Sequence, residues 1–318
     1  MGTLKASLVK PRTVYRNARG SVILGSCEQV LANSTFRRRY KGQVQLIFTS
    51  PPFPLNQKKK YGNHQGEEYL RWLSAFGPLF AEYLKPKGSV VMEIGNAWEK
   101  GSPTQSILPY EALLGFLKQG KLKLCQEITY YNPARLPTPA QWVTIERIRL
   151  KDSTSKVWWM AKCKKPKAHN SRVLKPYSKA MLQLLSRGSY NSGKRPSQHD
   201  ISKSGFLKKH AGAIAPNLIE VANTGNGSPY QSFCKEHEVE AHPARMPEKV
   251  ADFFIRFLTT KGDLVFDPFS GSNTTGTVAN RLERRWLSIE AVPHYAVAGV
   301  ANFSPARAEA LLKKFKTT

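Results

Sequence analysis

Along the chain, short dense apolar runs alternate with stretches in which apolar side chains return every three or four positions. The runs at 21–25, 44–48, 89–95, 125–131, 156–162, 263–266 and 285–289 are brief and end in Gly, Pro or polar residues. Each predicts a strand, and 44–48 predicts one buried in a parallel sheet. Residues 67–84 place Tyr69, Leu70, Leu73, Phe76, Leu79, Phe80 and Tyr83 at helical spacing and stop at Lys85-Pro86-Lys87-Gly88. Further helices are predicted over 27–33, 107–119, 247–258, 274–284 and 306–314, with Pro247 in a first turn. Segment 143–150 alternates apolar and polar residues and predicts one more strand. Strand following helix in this way predicts a doubly wound α/β sheet.

The pattern breaks after residue 163. Residues 151–215 hold fifteen Lys or Arg against two acids and are rich in Ser, Pro, Asn and Gly. We read 164–239 as an inserted, loop-rich basic module between two parts of one α/β domain, 1–163 and 240–318. Within it, Arg195, Ser197, Gln198, His199 and Lys203 are spaced to reach base edges and phosphates. Lys58, Lys59 and Lys60 form a second basic cluster, in a polar loop over 56–63.

Charge sharpens this picture. Forty-nine Lys plus Arg against 22 Asp plus Glu give a net charge of +27 in 318 residues, which calls for a polyanionic partner, foremost nucleic acid. The four cysteines, Cys27, Cys125, Cys163 and Cys234, include no C-x-x-C pair, so neither a zinc site nor a disulfide framework is expected. No apolar run approaches the ~20 residues of a membrane span, and Lys5, Lys10, Arg12 and Arg16 interrupt any signal-peptide core. A cytoplasmic location, without membrane or metal, follows as the expectation.

Two stretches carry candidate chemistry. The run Leu46-Ile47-Phe48 ends in Thr49-Ser50-Pro51-Pro52-Phe53. The two prolines lack an N–H and stiffen the chain into an elbow with free carbonyls and one aromatic ring. In open α/β sheets that end of a strand is where ligands bind. Near the C-terminus, a strand runs into Asp267-Pro268-Phe269-Ser270-Gly271-Ser272-Asn273-Thr274-Thr275-Gly276 and then a helix. Such a turn brings backbone N–H groups close to a nucleoside, and Glu290 lies at the end of the next strand, where a carboxylate accepts from ribose hydroxyls. The Lys of a phosphate-cradling P-loop is missing.

The order of these stretches resembles the β-class amino methyltransferases of DNA, in which the catalytic motif precedes the target-recognition region and the S-adenosylmethionine motif comes last. The resemblance spans nearly the whole chain and includes His242-Pro243-Ala244-Arg245-Met246-Pro247. Ser50-Pro51-Pro52-Phe53, Lys58-Lys59-Lys60-Tyr61-Gly62-Asn63 and Ser272-Asn273-Thr274-Thr275 are most similar to the cytosine-N4 branch of restriction–modification systems. It implies a Rossmann-like methyltransferase sheet, with 164–239 as the target-recognition region. It implies Ser50, Pro51, Pro52 and Phe53 as catalytic residues, with Asp267, Pro268, Phe269, Gly271, Ser272, Asn273, Thr274, Thr275, Glu290 and Pro243 at the cofactor. Double-stranded DNA is the implied partner, and a restriction endonuclease sharing the site is compatible with it. Two departures stand out. Ser272 occupies the second glycine of the usual turn, and Gly25-Ser26-Cys27 replaces Gly-Asp-Ser, removing at Ser26 the carboxylate expected near the adenine.

In this reading Ser50 Oγ and the Pro51 carbonyl accept from the exocyclic amine, and Phe53 stacks on the flipped base. No cysteine neighbours the motif in sequence. Adenine-N6 methylation is the alternative within enzymes, and a catalytically silent DNA-binding protein is the alternative outside them.

Overall fold

The computed structural model describes residues 10–53, 64–225 and 227–316. In chain order the strands are β1 (Arg12–Arg16), β2 (Gly20–Leu24), β3 (Val44–Thr49), β4 (Leu84–Gly95), β5 (Lys123–Tyr131), β6 (Thr154–Ala161), β7 (Gly193–Lys194), β8 (Asp200–Ile201), β9 (Leu218–Glu220), β10 (Leu264–Asp267) and β11 (Arg285–Glu290). The helices are α1 (Cys27–Ala32), α2 (Ser34–Tyr40), α3 (Gly66–Tyr83), α4 (Leu108–Gly120) and α5 (Lys179–Arg187). They continue with α6 (Pro229–Glu236), α7 (Glu248–Leu258), α8 (Thr274–Arg281), α9 (Pro293–Val300) and α10 (Pro305–Lys316).

Nine strands form one sheet in the order β1-β2-β11-β10-β3-β4-β6-β5-β9. The run from β2 to β4 is parallel, whereas β1 and β6 are antiparallel to their neighbours. Alternation from Leu46 to Phe48 sends β3 into two cores, and the register shift between Val44 and Leu46 turns Val44 to the side of Ile47. Leu46 and Phe48 face a layer with α7, where Phe48 stacks on Phe254 at 5.7 Å; Val44 and Ile47 face the layer built on α3 and α4. Chain connections leave β10 toward β11 on one side and leave β3 toward β4 on the other. The β10/β3 seam is therefore the switch point of the sheet, where a crevice opens at the carboxyl ends.

Two expectations change. Segment 143–150 is not a strand: a single wide helical turn covers Gln141–Ile145, and Ile145, Ile148 and Leu150 face solvent. β6 pairs with β4 on one side and β5 on the other, and the segment before it lies outside the sheet. The basic module is also shorter than 164–239. Residues 169–216 form a compact unit with α5 and the β7/β8 hairpin. Residues 217–239 belong to the larger unit, where β9 extends the sheet beside β5 and α6 buries Tyr230, Phe233 and Cys234. The apolar signal there is too brief to stand out from its polar surroundings. Strand β1 and helices α2, α6 and α9 were likewise not anticipated from the pattern. No helix among the described residues is long and apolar enough to cross a membrane.

At the amino end of the parallel strands, Asp263 accepts from Lys85 Nζ at 3.0 Å, from Lys167 Nζ and from the Thr260 N–H at 2.9 Å. Burial pushes its carboxyl up, but these hydrogen bonds outweigh it and hold the pKa at about 2. This depressed value contributes stability that is complete above the ordinary 3.8 and is lost as pH falls through about 2. Asp263→Ala should lower unfolding stability at neutral pH by about 1.5–3 kcal/mol in urea titration. The gap between variant and wild type should close as pH falls below 4.

Candidate active site

Thr49 ends β3 beside Asp267, which ends β10. Thr49 Oγ1 donates to Asp267 Oδ1 at 2.7 Å, the Phe269 N–H donates to the same oxygen at 3.1 Å, and Thr275 Oγ1 donates to Oδ2 at 2.6 Å. Desolvation raises the Asp267 carboxyl to about 6, against the pull of these three donors. Asp267 thus joins the two motifs, and it is not among the residues lining the cavity beside it.

The next residues open into a cavity of about 570 Å³. Ser50, Pro51, Pro52 and Phe53 line one side, and Pro268, Phe269 and Glu290 line another. Ser50 Oγ donates to Glu93 Oε2 at 2.8 Å, near the carboxyl end of β4. Burial pushes the Glu93 carboxyl above its ordinary value; the Ser50 and Ser155 hydroxyls and the Arg135 charge oppose this only in part. Phe53 lies over Gly95, where an added Cβ would come within 2.7 Å of the ring. Only a residue without a side chain lets the aromatic ring rest on the end of β4.

On the cofactor turn, Gly271 takes φ +50 and donates its N–H to Glu290 Oε2 at 2.7 Å. Val292 N–H donates to Glu290 Oε1 at 2.8 Å, leaving lone pairs on both oxygens. Burial, reinforced by Asp267, raises Glu290 to about 7 although backbone N–H groups pull it down. Phe269 packs on Trp72 and Phe76 of α3, with ring centres 5.6 and 5.4 Å away. Gly271, Ser272, Asn273, Thr274, Thr275 and Pro243 are not among the side chains lining the cavity; His242 and Ala244 flank Pro243 and do line it. Asn273 instead accepts from Ser288 Oγ at 2.7 Å, and the Ser272 carbonyl accepts from Asn302. Ser270 Oγ and Asn273 Nδ2 are buried in this turn without a partner.

Several lining residues were not singled out from sequence: Cys27, Glu28, His64, Glu68, Trp72 and Tyr295. Ser26 Oγ caps α1 by accepting from the Gln29 N–H, and the carboxylate missing at Ser26 is supplied to the cavity by Glu28, which accepts from Trp72 Nε1 at 2.8 Å. A cysteine does neighbour the Ser-Pro-Pro-Phe elbow in space. Burial, with Glu28 and Asp267, pushes the Cys27 thiol well above its ordinary value, so it remains protonated and is no nucleophile. The spacing of a helix signals an apolar face, but not which of its residues will meet a strand end. Lys58, Lys59 and Lys60 lie outside the described residues. Arg195, Ser197, His199 and Lys203 belong to the unit of 169–216, around the β7/β8 hairpin, where the Arg195 N–H donates to the His199 carbonyl at 2.8 Å.

In a protein of net charge +27, the described lining holds the carboxylates Glu28, Glu68 and Glu290 and no Lys or Arg. A ligand suited to it carries positive charge, a flat apolar part and hydroxyl donors. Among the described residues no cluster of His, Cys, Asp and Glu is arranged to hold a metal ion.

A cavity at the switch point of a mixed α/β sheet, with a Pro-Pro-aromatic elbow on its rim, lies where α/β enzymes bind their ligands. The chain belongs to the DNA methylase family, whose pattern matches residues 44–300. It is 39% identical over 294 residues to the type II methyltransferase M.PvuII of Proteus hauseri, covering 92% of this chain and 86% of that one. The solved structure of PvuII DNA methyltransferase (cytosine-N4-specific) superposes with a TM-score of 0.75 at 32% identity, covering 95% of this chain and 94% of that one. The same fold occurs in a putative DNA modification methylase of Thermus thermophilus, solved in complex with S-adenosyl-L-methionine, at a TM-score of 0.52 and 18% identity, covering 91% of this chain and 93% of that one.

Thr49→Val removes one donor from a buried carboxylate. It should cost about 1.5–3 kcal/mol of unfolding stability, measured by urea titration, and raise Asp267 further. A loss under about half a kcal/mol would show that the tie is not needed.

Proposed function

We propose that this protein transfers a methyl group from S-adenosylmethionine to the exocyclic N4 of cytosine at a specific site in duplex DNA, after flipping the base. The observation that carries the proposal is the Ser50 hydroxyl, fixed by buried Glu93 on the same cavity as Glu290 and Phe269. Similarity to a cytosine-N4-specific enzyme over nearly the full chain supports the choice of base.

The cavity suits the cofactor: carboxylates answer its positive charge and hydroxyls, and aromatic walls answer the adenine. Glu290 and Phe269 are the residues we assign to hold it, with Glu28 and His242 beside them. Bound S-adenosylmethionine supplies a methyl group already activated by its sulfonium.

The protein's own task is the amine, whose lone pair is delocalised into the pyrimidine ring. Because Ser50 gives its proton to Glu93, its oxygen is left as an acceptor for an amine N–H. The Pro51 carbonyl is the second acceptor. Together they favour a pyramidal nitrogen as positive charge develops there. The proton released from the amine passes to Ser50 Oγ as the Ser50 proton moves to Glu93 Oε2. Burial makes Glu93 receptive by raising its pKa. Phe53 replaces part of the stacking lost on flipping, worth a few kcal/mol.

Arg195, Ser197, His199 and Lys203 are assigned to DNA in the unit of 169–216, the proposed target-recognition region. Lys58, Lys59 and Lys60 are assigned to the phosphate backbone on charge alone. An endonuclease reading the same site would be the genetic partner, and the enzyme would act in the cytoplasm of a prokaryotic cell.

Mass spectrometry of nucleosides from DNA methylated by the protein should show N4-methylcytosine; N6-methyladenine in its place would overturn the base assignment. Ser50→Ala should lower turnover by about 100-fold or more while cofactor affinity, read by calorimetry, changes less than about twofold.

Glu290 accepts ribose hydroxyls more strongly as a carboxylate than as the neutral acid. Since it holds its proton up to about pH 7, cofactor affinity should fall as pH drops below that value, by up to about tenfold per unit. The sign reverses for unliganded stability, which falls as pH rises from 4.5 toward 7 because the charged form is disfavoured. Calorimetry across that range checks the affinity, and Glu290→Gln should remove this dependence.

A further inference from the structure

Residues 132–153 leave the carboxyl end of β5 and return at the start of β6, on the edge of the sheet where β3 and β4 end. The base of this loop touches the reaction site. Gly95 pairs with Ser155, and Arg135 donates to the Thr154 carbonyl at 3.3 Å while its charge acts on Glu93.

The loop is braced from within. Arg149 pairs with both oxygens of Asp152 at 3.0 and 3.1 Å and reaches the Pro103 carbonyl; Lys151 binds the carbonyls of Pro133 and Arg135; the Ile148 and Arg149 N–H groups donate to the Trp142 carbonyl. Yet this ordered segment turns large aliphatic side chains into water. Leu136 is 74% exposed, Ile145 68%, Ile148 62% and Leu150 88%. Arg147 and Lys151 are exposed among them, as is Glu146, whose carboxylate accepts from the Gln141 amide at 2.7 Å.

A well-braced loop gains nothing for its own fold by displaying such residues. Apolar tips flanked by cations match a duplex, with phosphates outside and base faces within. The root of this loop acts on Glu93, the partner of Ser50, through the Ser155 hydroxyl and the Arg135 charge. We propose that loop 132–153 is the wedge of the DNA complex. Ile145, Ile148 and Leu150 fill the space left by the extruded base, and Arg147 and Lys151 hold the adjoining phosphates. The inference rests on the proposed base-flipping methyl transfer and names the surface that keeps the helix open.

The test uses the full chain and a duplex carrying the methylated site, mapped by modified-base sequencing of DNA from cells expressing the protein. The variant I145S/I148S/L150S changes exposed side chains only, so its melting temperature should match wild type. With 2-aminopurine at the target position, wild type should raise the fluorescence and the variant should lose most of that rise. Its kcat/KM on the paired duplex should fall about tenfold or more, and a mismatch opposite the target cytosine, which leaves it unpaired beforehand, should restore most of the loss. Arg147→Gln with Lys151→Gln should shallow the salt dependence of binding by about one to two phosphates.

Wild-type flipping by the triple variant would overturn the wedge, as would a deficit that the mismatch does not relieve. Sedimentation showing a wild-type dimer that the variant splits, with flipping intact, would assign the face to a second copy instead. These outcomes are separate from failure of the methylation itself, in which wild type would yield no N4-methylcytosine at all.

Discussion

The buried carboxylate of Asp267 is the constraint on which the site depends. It joins Thr49 and Thr275, and so ties the tip of β3 to the turn after β10 across a sequence separation of 218 residues. Burying a carboxylate costs several kcal/mol unless donors replace the water, and here two hydroxyls and one N–H do so. Such an arrangement adds little net stability. It gives registration: a slip of one strand tip against the other would take the Thr49 donor away from a buried carboxylate. The Ser-Pro-Pro-Phe elbow and the turn after β10 are held in step by this one buried group.

A second constraint is electrostatic. The chain carries an excess of 27 positive charges, yet the described lining of its cavity carries only carboxylates among residues of fixed charge. Two ligands of opposite sign can therefore be sorted by place, a polyanion over the outer surface and a cation within. Desolvation sharpens the inner field but also raises Glu290 to about 7 and Asp267 to about 6, so the site lies close to the edge of its ionised state. A cofactor that donates hydrogen bonds and brings positive charge restores that state, which couples occupancy of the cavity to its electrostatics.

These features meet at one edge of the sheet because parallel strands end together. Thr49, Glu93, Asp267 and Glu290 sit at or near the ends of β3, β4, β10 and β11, and the exposed loop between β5 and β6 rises beside them. The rigid ladder supplies position, and the connections supply chemistry.

The sequence by itself determined the α/β alternation, the two strand-end motifs and their order, because apolar period, proline and glycine act over a few residues. Ser50, Phe53, Phe269 and Glu290 were legible for the same reason, and the structure brings all four to one cavity. Only the tertiary structure decided that Asp267 is a tie, that Glu93 accepts the hydrogen bond of the Ser50 hydroxyl and that Glu28 places a carboxylate on the cavity lining. It also decided that 143–150, with the alternation of a strand, pairs with none of the described strands and turns Ile145, Ile148 and Leu150 to solvent. Each of these depends on which elements become neighbours across the sheet, and pairing between distant strands leaves no mark in a local window of sequence.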